Sequence, residues 1–205
     1  MLVHEPEWLT RHATRPTPRC RRRIDRLDPC PANRSSARLD RMVVTLSPMP
    51  DERFAAWILA KTLQYAESRE AAGETPAQAR ATARESEAVN FPDGRPLELH
   101  RVFEIIADGD PVGSLWIGPH PQHPDGVDWW VYQIEVDEES RGNGYGRQAM
   151  LLAEREVAAL GGVTLGLNVF GFNTVARELY ASLGYEVTSL QLRKPVAPAD
   201  DEKPE

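Results

Sequence analysis

At 205 residues the chain has length for one domain with a sizeable core and some additional tail. Its 24 Lys and Arg against 31 Asp and Glu leave a formal net charge of −7, which argues against nonspecific nucleic-acid binding and suits a cationic, amine-bearing partner. No apolar run approaches the ~18–20 residues of a membrane-spanning helix and none near the start resembles a signal peptide, while Cys20 and Cys30 both fall in the first 41 residues, so a cytoplasmic protein with no membrane partner is expected.

Residues 1–41 hold 10 Arg and 5 Asp or Glu, a net of +5, whereas the rest of the chain has a net of −12. Pro16, Pro18, Pro29 and Pro31 interrupt this polar run, and a disordered extension is expected. Met42-Val43-Val44-Thr45-Leu46 reads as a natural start, with a first strand directly after a methionine, so residues 1–41 are expected to lie upstream of the true beginning. After Pro50, Asp51 is placed to cap a helix with Phe54, Trp57, Ile58, Lys61 and Tyr65 on one side, ending near Gly73. Thr75 and Pro76 open a second helix, rich in Ala, Arg and Glu, to about residue 89. Residues 100–106 and 112–117 flank Asp108-Gly109-Asp110-Pro111 and predict a hairpin. His120 and His123 lie in the following loop without a carboxylate or cysteine cluster, so a solvated turn is expected there rather than a metal site.

An apolar run at 129–136 leads into Asp137-Glu138-Glu139-Ser140-Arg141-Gly142-Asn143-Gly144-Tyr145-Gly146. Tyr145, Ala149, Leu152, Ala153, Val157 and Leu160 then recur at helical spacing up to Gly161-Gly162. Strand, glycine turn and helix in this order leave backbone N–H groups uncovered at a helix N-terminus, which suits a phosphate or pyrophosphate. Arg141 adds a cation at the mouth. A P-loop needs Gly-Lys-Ser/Thr, but Gly146 is followed by Arg147-Gln148. A dinucleotide fingerprint matches literally as Gly144-x-Gly146-x-x-Ala149, yet no Asp or Glu occurs between Glu156 and Glu178 to hold a ribose.

Arg141-Gly142-Asn143-Gly144-Tyr145-Gly146 resembles the Gln/Arg-x-x-Gly-x-Gly/Ala signature of the GCN5-related N-acetyltransferases (GNAT). Downstream, Leu165-Gly166-Leu167-Asn168-Val169 reads as the next strand, Asn173-Thr174-Val175-Ala176-Arg177-Glu178-Leu179-Tyr180 resembles the family's Asn-x-x-Ala-x-x-Leu-Tyr helix, and Leu183-Gly184-Tyr185-Glu186 its following turn. The resemblance covers roughly residues 99–194. It implies a single α/β domain at 42–194, with a mixed, mostly antiparallel central sheet flanked by helices and an acidic disordered tail at 195–205.

It further implies an N-acetyltransferase moving an acetyl group from acetyl-CoA to a small-molecule or peptide amine by direct attack, with a homodimer left open. The family's loop holds the pyrophosphate through backbone amides, so Arg141, Gly142, Asn143, Gly144, Tyr145 and Gly146 are the expected cofactor contacts. Ile134 and Val136 join them from the preceding strand, the Val136 N–H serving the thioester; Asn168 and Asn173 join them from downstream. Tyr180 takes the position of the family's general acid, and Glu135 is the nearest carboxylate for a base, or else an ion-pair partner. Trp116, Trp129, Trp130 and Phe103 are expected mainly in the core. A last strand is expected at 185–193. A non-catalytic acyl-CoA-binding module is the rival reading, and a nucleotide-dependent oxidoreductase a distant third.

Overall fold

In the computed structural model, which describes residues 43–194, alternating branched and aromatic residues put five strands into one sheet in sequence order. Along the chain run β1 (Val44–Pro48), α1 (Asp51–Ala71), α2 (Pro76–Asn90), β2 (Arg101–Ala107), β3 (Asp110–Pro119), β4 (Asp128–Val136), α3 (Tyr145–Ala159), β5 (Thr164–Leu167) and α4 (Thr174–Ser182). The first four strands are antiparallel, and β5 joins β4 in parallel after the α3 crossover. This is the mixed, mostly antiparallel sheet expected. The extension at 1–41, the start at Met42 and the tail at 195–205 lie outside the described residues.

Each sheet face has its own core. On one, Ala149, Met150, Ala153 and Val157 of α3 cover Phe103, Ile105, Leu115, Ile117, Trp129 and Val131. On the other, Trp57 and Ile58 of α1 meet Phe91, Val102 and Trp116, with Phe54 and Tyr132 beside them. The rings of Phe91 and Trp116 lie 4.7 Å apart and those of Trp116 and Tyr132 4.5 Å, distances at which aromatic pairs add to the area they bury. Three of the four aromatics singled out from sequence are therefore core residues; Trp130 is half-buried and packs edge-on against His120.

Three local details depart from the sequence expectations. Pro50, rather than Asp51, occupies the cap position of α1; Asp51 sits in the first turn and pairs with Arg95 at 3.5 Å. By contrast Thr75 caps α2 as expected, its hydroxyl accepting from Gln78 N. The strand expected at 165–169 is reduced to β5, which ends at Leu167, exposed at Thr164 and half-buried beyond, because it forms the edge of the sheet. The expected last strand does not form. At 185–193 each face of the alternation mixes apolar and polar side chains, so neither face defines a register. Val187, Leu190 and Leu192 are exposed, and Arg193 Nη1 instead donates to Gly73 O at 2.6 Å beyond the end of α1.

Candidate active site

A β-bulge in β4 sets the geometry. Trp116 pairs with Gln133 but Ile117 pairs with Val131, leaving Tyr132 as an extra residue. Before it, Trp129 and Val131 face the α3 core; after it, Ile134 and Val136 do. The bulge thus turns Gln133 and Glu135 to the α1 face, where regular alternation would have driven both into the apolar core. It also bends β4 away from its neighbour. Pairing with β5 ends at Val131–Leu167, so the last five residues of β4 have no strand partner on that side among the described residues.

Backbone polarity in this opening follows from register. Asp137 N donates to Val112 O at 2.9 Å, so by alternation the backbone N–H groups of Gln133 and Glu135 also point toward β3. The N–H groups of Ile134 and Val136 therefore point to the edge that β5 vacates. The Val136 carbonyl on that edge accepts from Arg141 Nε at 3.0 Å, which folds the glycine loop back onto the strand.

The loop is held by its own side chains and leaves the helix start bare. Asn143 Nδ2 donates to Ser140 O at 3.1 Å. Gly142 and Gly144 have φ of 80° and 81°, a left-handed backbone that side chains with a Cβ rarely adopt. Gly144 caps α3 without a side-chain bond, so the N–H groups of Tyr145, Gly146 and Arg147 have no intrahelical partner and lie at the positive end of the macrodipole. Tyr145 packs its ring on the α3 core. Gly146 lies against α4, where an added Cβ would stand 3.5 Å from Leu179 Cδ2, and Arg147 contacts Ser182 Oγ.

Tyr180 and Tyr185 share one edge of the α3 core, their ring centroids 5.8 Å apart. Their hydroxyls differ. That of Tyr185 contacts Glu154 Oε1 at 3.2 Å, whereas that of Tyr180 has no hydrogen-bond partner among the described residues and is not sealed from solvent. Burial raises the Tyr180 pKa, so the phenol keeps its proton at neutral pH. Asn173 accepts from Ala176 N at 3.2 Å and caps α4. Asn168, just past β5, is exposed.

Glu135 receives the Lys61 ammonium on one carboxylate oxygen and Gln64 Nε2, at 2.9 Å, on the other. This is one rung of three. Glu104, Ser114 and Glu135 are successive partners across β2, β3 and β4, and they meet Arg53, Trp57 and Lys61, spaced by four residues along α1. Gln133 Oε1 lies 3.4 Å from the Ser114 hydroxyl, while its buried Nε2 has no partner among the described residues. Lys61, Gln64 and Gln133 are the site-bordering residues that sequence reasoning did not assign; the available signal is a lysine within the apolar stripe of α1. His123 pairs with Asp128 at 3.2 Å, and among the described residues no group of three side chains is arranged to hold a metal.

Residues 55–185 match the profile of the acetyltransferase (GNAT) family. The chain is 30% identical over 155 residues to YycN of Bacillus subtilis, named an uncharacterized N-acetyltransferase, covering 75% of this chain and 99% of that protein. It is 29% identical over the same length to YdgE of that organism, likewise named an uncharacterized N-acetyltransferase, covering 75% and 98%. The YycN crystal structure superposes with a TM-score of 0.69, covering 76% of this chain and 99% of that one. A GCN5-related N-acetyltransferase from Ralstonia eutropha, 20% identical with a TM-score of 0.51 and coverage of 75% and 99%, shares the fold. The chain belongs to the acetyltransferase (GNAT) family.

Proposed function

We propose that this protein is an N-acetyltransferase that moves an acetyl group from acetyl-CoA to a small-molecule or peptide amine by direct attack in a ternary complex. One observation carries the reading: the uncapped N-terminus of α3 opens beside a β4 edge whose N–H groups β5 leaves unpaired. Those two sets of donors suit the two ends of one extended ligand, a pyrophosphate and a thioester. In this reading Arg141, Gly142, Asn143, Gly144, Tyr145 and Gly146 receive the pyrophosphate, Ile134 and Val136 line the acyl-bearing arm, and Asn168 and Asn173 border it.

Acetyl-CoA supplies the acetyl group as an activated thioester. The protein's tasks are to take a proton from an ammonium, to stabilise a developing oxyanion and to protonate a leaving sulfur. Glu135 takes the first task, because it is a carboxylate on the acceptor-facing side of β4 that already receives an ammonium. The Val136 N–H serves the oxyanion. Tyr180 serves the sulfur, with a protonated hydroxyl that has no hydrogen-bond partner among the described residues. No covalent enzyme intermediate is needed, and the chain has no cysteine after Cys30. The test is thiol release from acetyl-CoA against a panel of amines. Amine-dependent release supports the reading, and binding of acetyl-CoA with no release against any amine favours a non-catalytic acyl-CoA-binding module.

A further inference from the structure

The chain contains three lysines, Lys61, Lys194 and Lys203, the rest of its 24 basic residues being arginine. Lys61 is the one placed within a helix or strand of the described residues. The other acidic partners in the described ion pairs are met by Arg53, Arg69, Arg80, Arg95 and His123. Arginine is the better structural partner for a carboxylate, since its planar fork matches both oxygens and its charge is permanent. What lysine has and arginine lacks is an amine that can lose its proton and act as a nucleophile. An otherwise arginine-dominated chain therefore places its one lysine within the folded elements on the carboxylate assigned as the base.

The surroundings fit that chemistry. The Lys61 and Glu135 side chains are 19% and 24% exposed, enclosed enough to strengthen their coupling and open enough for an acyl group to arrive. Burial lowers the Lys61 pKa from the ordinary lysine value, with the Asp137 charge opposing it. Gln64 holds the other oxygen of Glu135, so the carboxylate stays in place when the ammonium leaves it. Glu135 stands on β4 between Ile134 and Val136, the residues whose N–H groups face the proposed acyl arm.

We propose that Lys61 is an acetyl acceptor within this protein itself. The step rests on the acetyl-CoA reading above. Glu135 takes a proton from the Lys61 ammonium, and the free amine attacks the thioester carbonyl carbon. The N–C bond forms, the C–S bond breaks, and Tyr180 gives its proton to the departing sulfur; the second proton of the attacking nitrogen passes to solvent as the amide forms, Glu135 releases its proton, and Tyr180 is reprotonated from solvent. The products are Nε-acetyl-Lys61, free CoA and one proton. Acetylation removes the ammonium that occupies Glu135 and leaves that carboxylate free for the ammonium of an external acceptor. The modification thus prepares the site for turnover.

The test incubates the full chain with acetyl-CoA, maps acetyl-lysine by peptide mass spectrometry and measures acetyl-CoA binding by calorimetry in parallel. With three lysines the assignment is unambiguous. The expected result is one acetyl group on Lys61, added at a rate independent of protein concentration and about tenfold or more slower in Tyr180→Phe. Trace labelling with acetic anhydride, which carries no CoA, is expected to show Lys61 reacting with a midpoint below the ~10.4 of a free lysine. A chain that binds acetyl-CoA and releases thiol to external amines while Lys61 stays unmodified overturns this proposal alone. Equal acetylation of all three lysines, or no slowing in Tyr180→Phe, shows mere chemical acetylation and also overturns it. Absence of acetyl-CoA binding removes the functional reading and this inference together.

Discussion

Lys61 sits on Glu135, and that contact fixes the middle of a helix that crosses three strands. Arg53 on Glu104, Trp57 on Ser114 and Lys61 on Glu135 give each strand from β2 to β4 one polar rung to α1. The middle rung is the simplest to remove. Trp57→Phe keeps much of the aromatic packing but deletes the Nε1–H that donates to Ser114 Oγ at 3.0 Å in a buried setting. A loss of about 1–2 kcal/mol in urea unfolding is expected. Unchanged stability would mean the rung contributes nothing to seating the helix.

The two tyrosines of the α3 edge should separate chemistry from structure. Tyr180→Phe is expected to lower turnover by about a hundredfold with little change in acetyl-CoA affinity or thermal stability. Tyr185→Phe, which loses the contact with Glu154, should cost about 1 kcal/mol of stability and leave turnover intact. Paired steady-state kinetics and thermal melts read both; a reversal of the pattern would exchange their roles.

Gly144 is constrained by backbone rather than by space. An added Cβ meets nothing within 4 Å among the described residues, but φ is 81°. Gly144→Ala should cost about 1–2 kcal/mol from left-handed strain, while Gly144→Trp should in addition cover the bare N–H groups of α3 and weaken acetyl-CoA binding. Calorimetry on the folded Trp variant checks this, and unchanged affinity would remove the loop from the account.

Acid should destabilise the protein through His100. Buried against Tyr132 and Trp116 and accepting from Trp116 Nε1 at 3.0 Å, it has a pKa lowered by burial from 6.5 to about 4. The unfolded chain therefore binds more protons between those values, so this contribution is complete above about 6.5 and is lost as pH falls toward 4. Thermal melts should show a falling midpoint across that window and a shallower fall in His100→Asn. Equal slopes in the two proteins would assign the acid sensitivity elsewhere.

The sequence was most legible where structure is local. The glycine loop, the α3 periodicity, the Thr75 cap and the Asp108-Gly109 hairpin each rest on residues within one or two turns of each other. The α1 side of the candidate site was not legible, because the Lys61–Glu135 contact spans 74 residues and depends on a bulge at Tyr132 that reverses which side chains face α1. No pattern in residues 128–136 announces that extra residue. The expected strand at 185–193 failed for the opposite reason. Its alternation was visible, but neither face was apolar enough to choose a side.

Calorimetric titration of the full chain with acetyl-CoA, with NADH as the control, tests the central claim most directly. Micromolar binding of acetyl-CoA and none of NADH is the predicted result. A folded protein that binds neither would contradict the account, leaving the bare start of α3 and the open edge of β4 without a ligand.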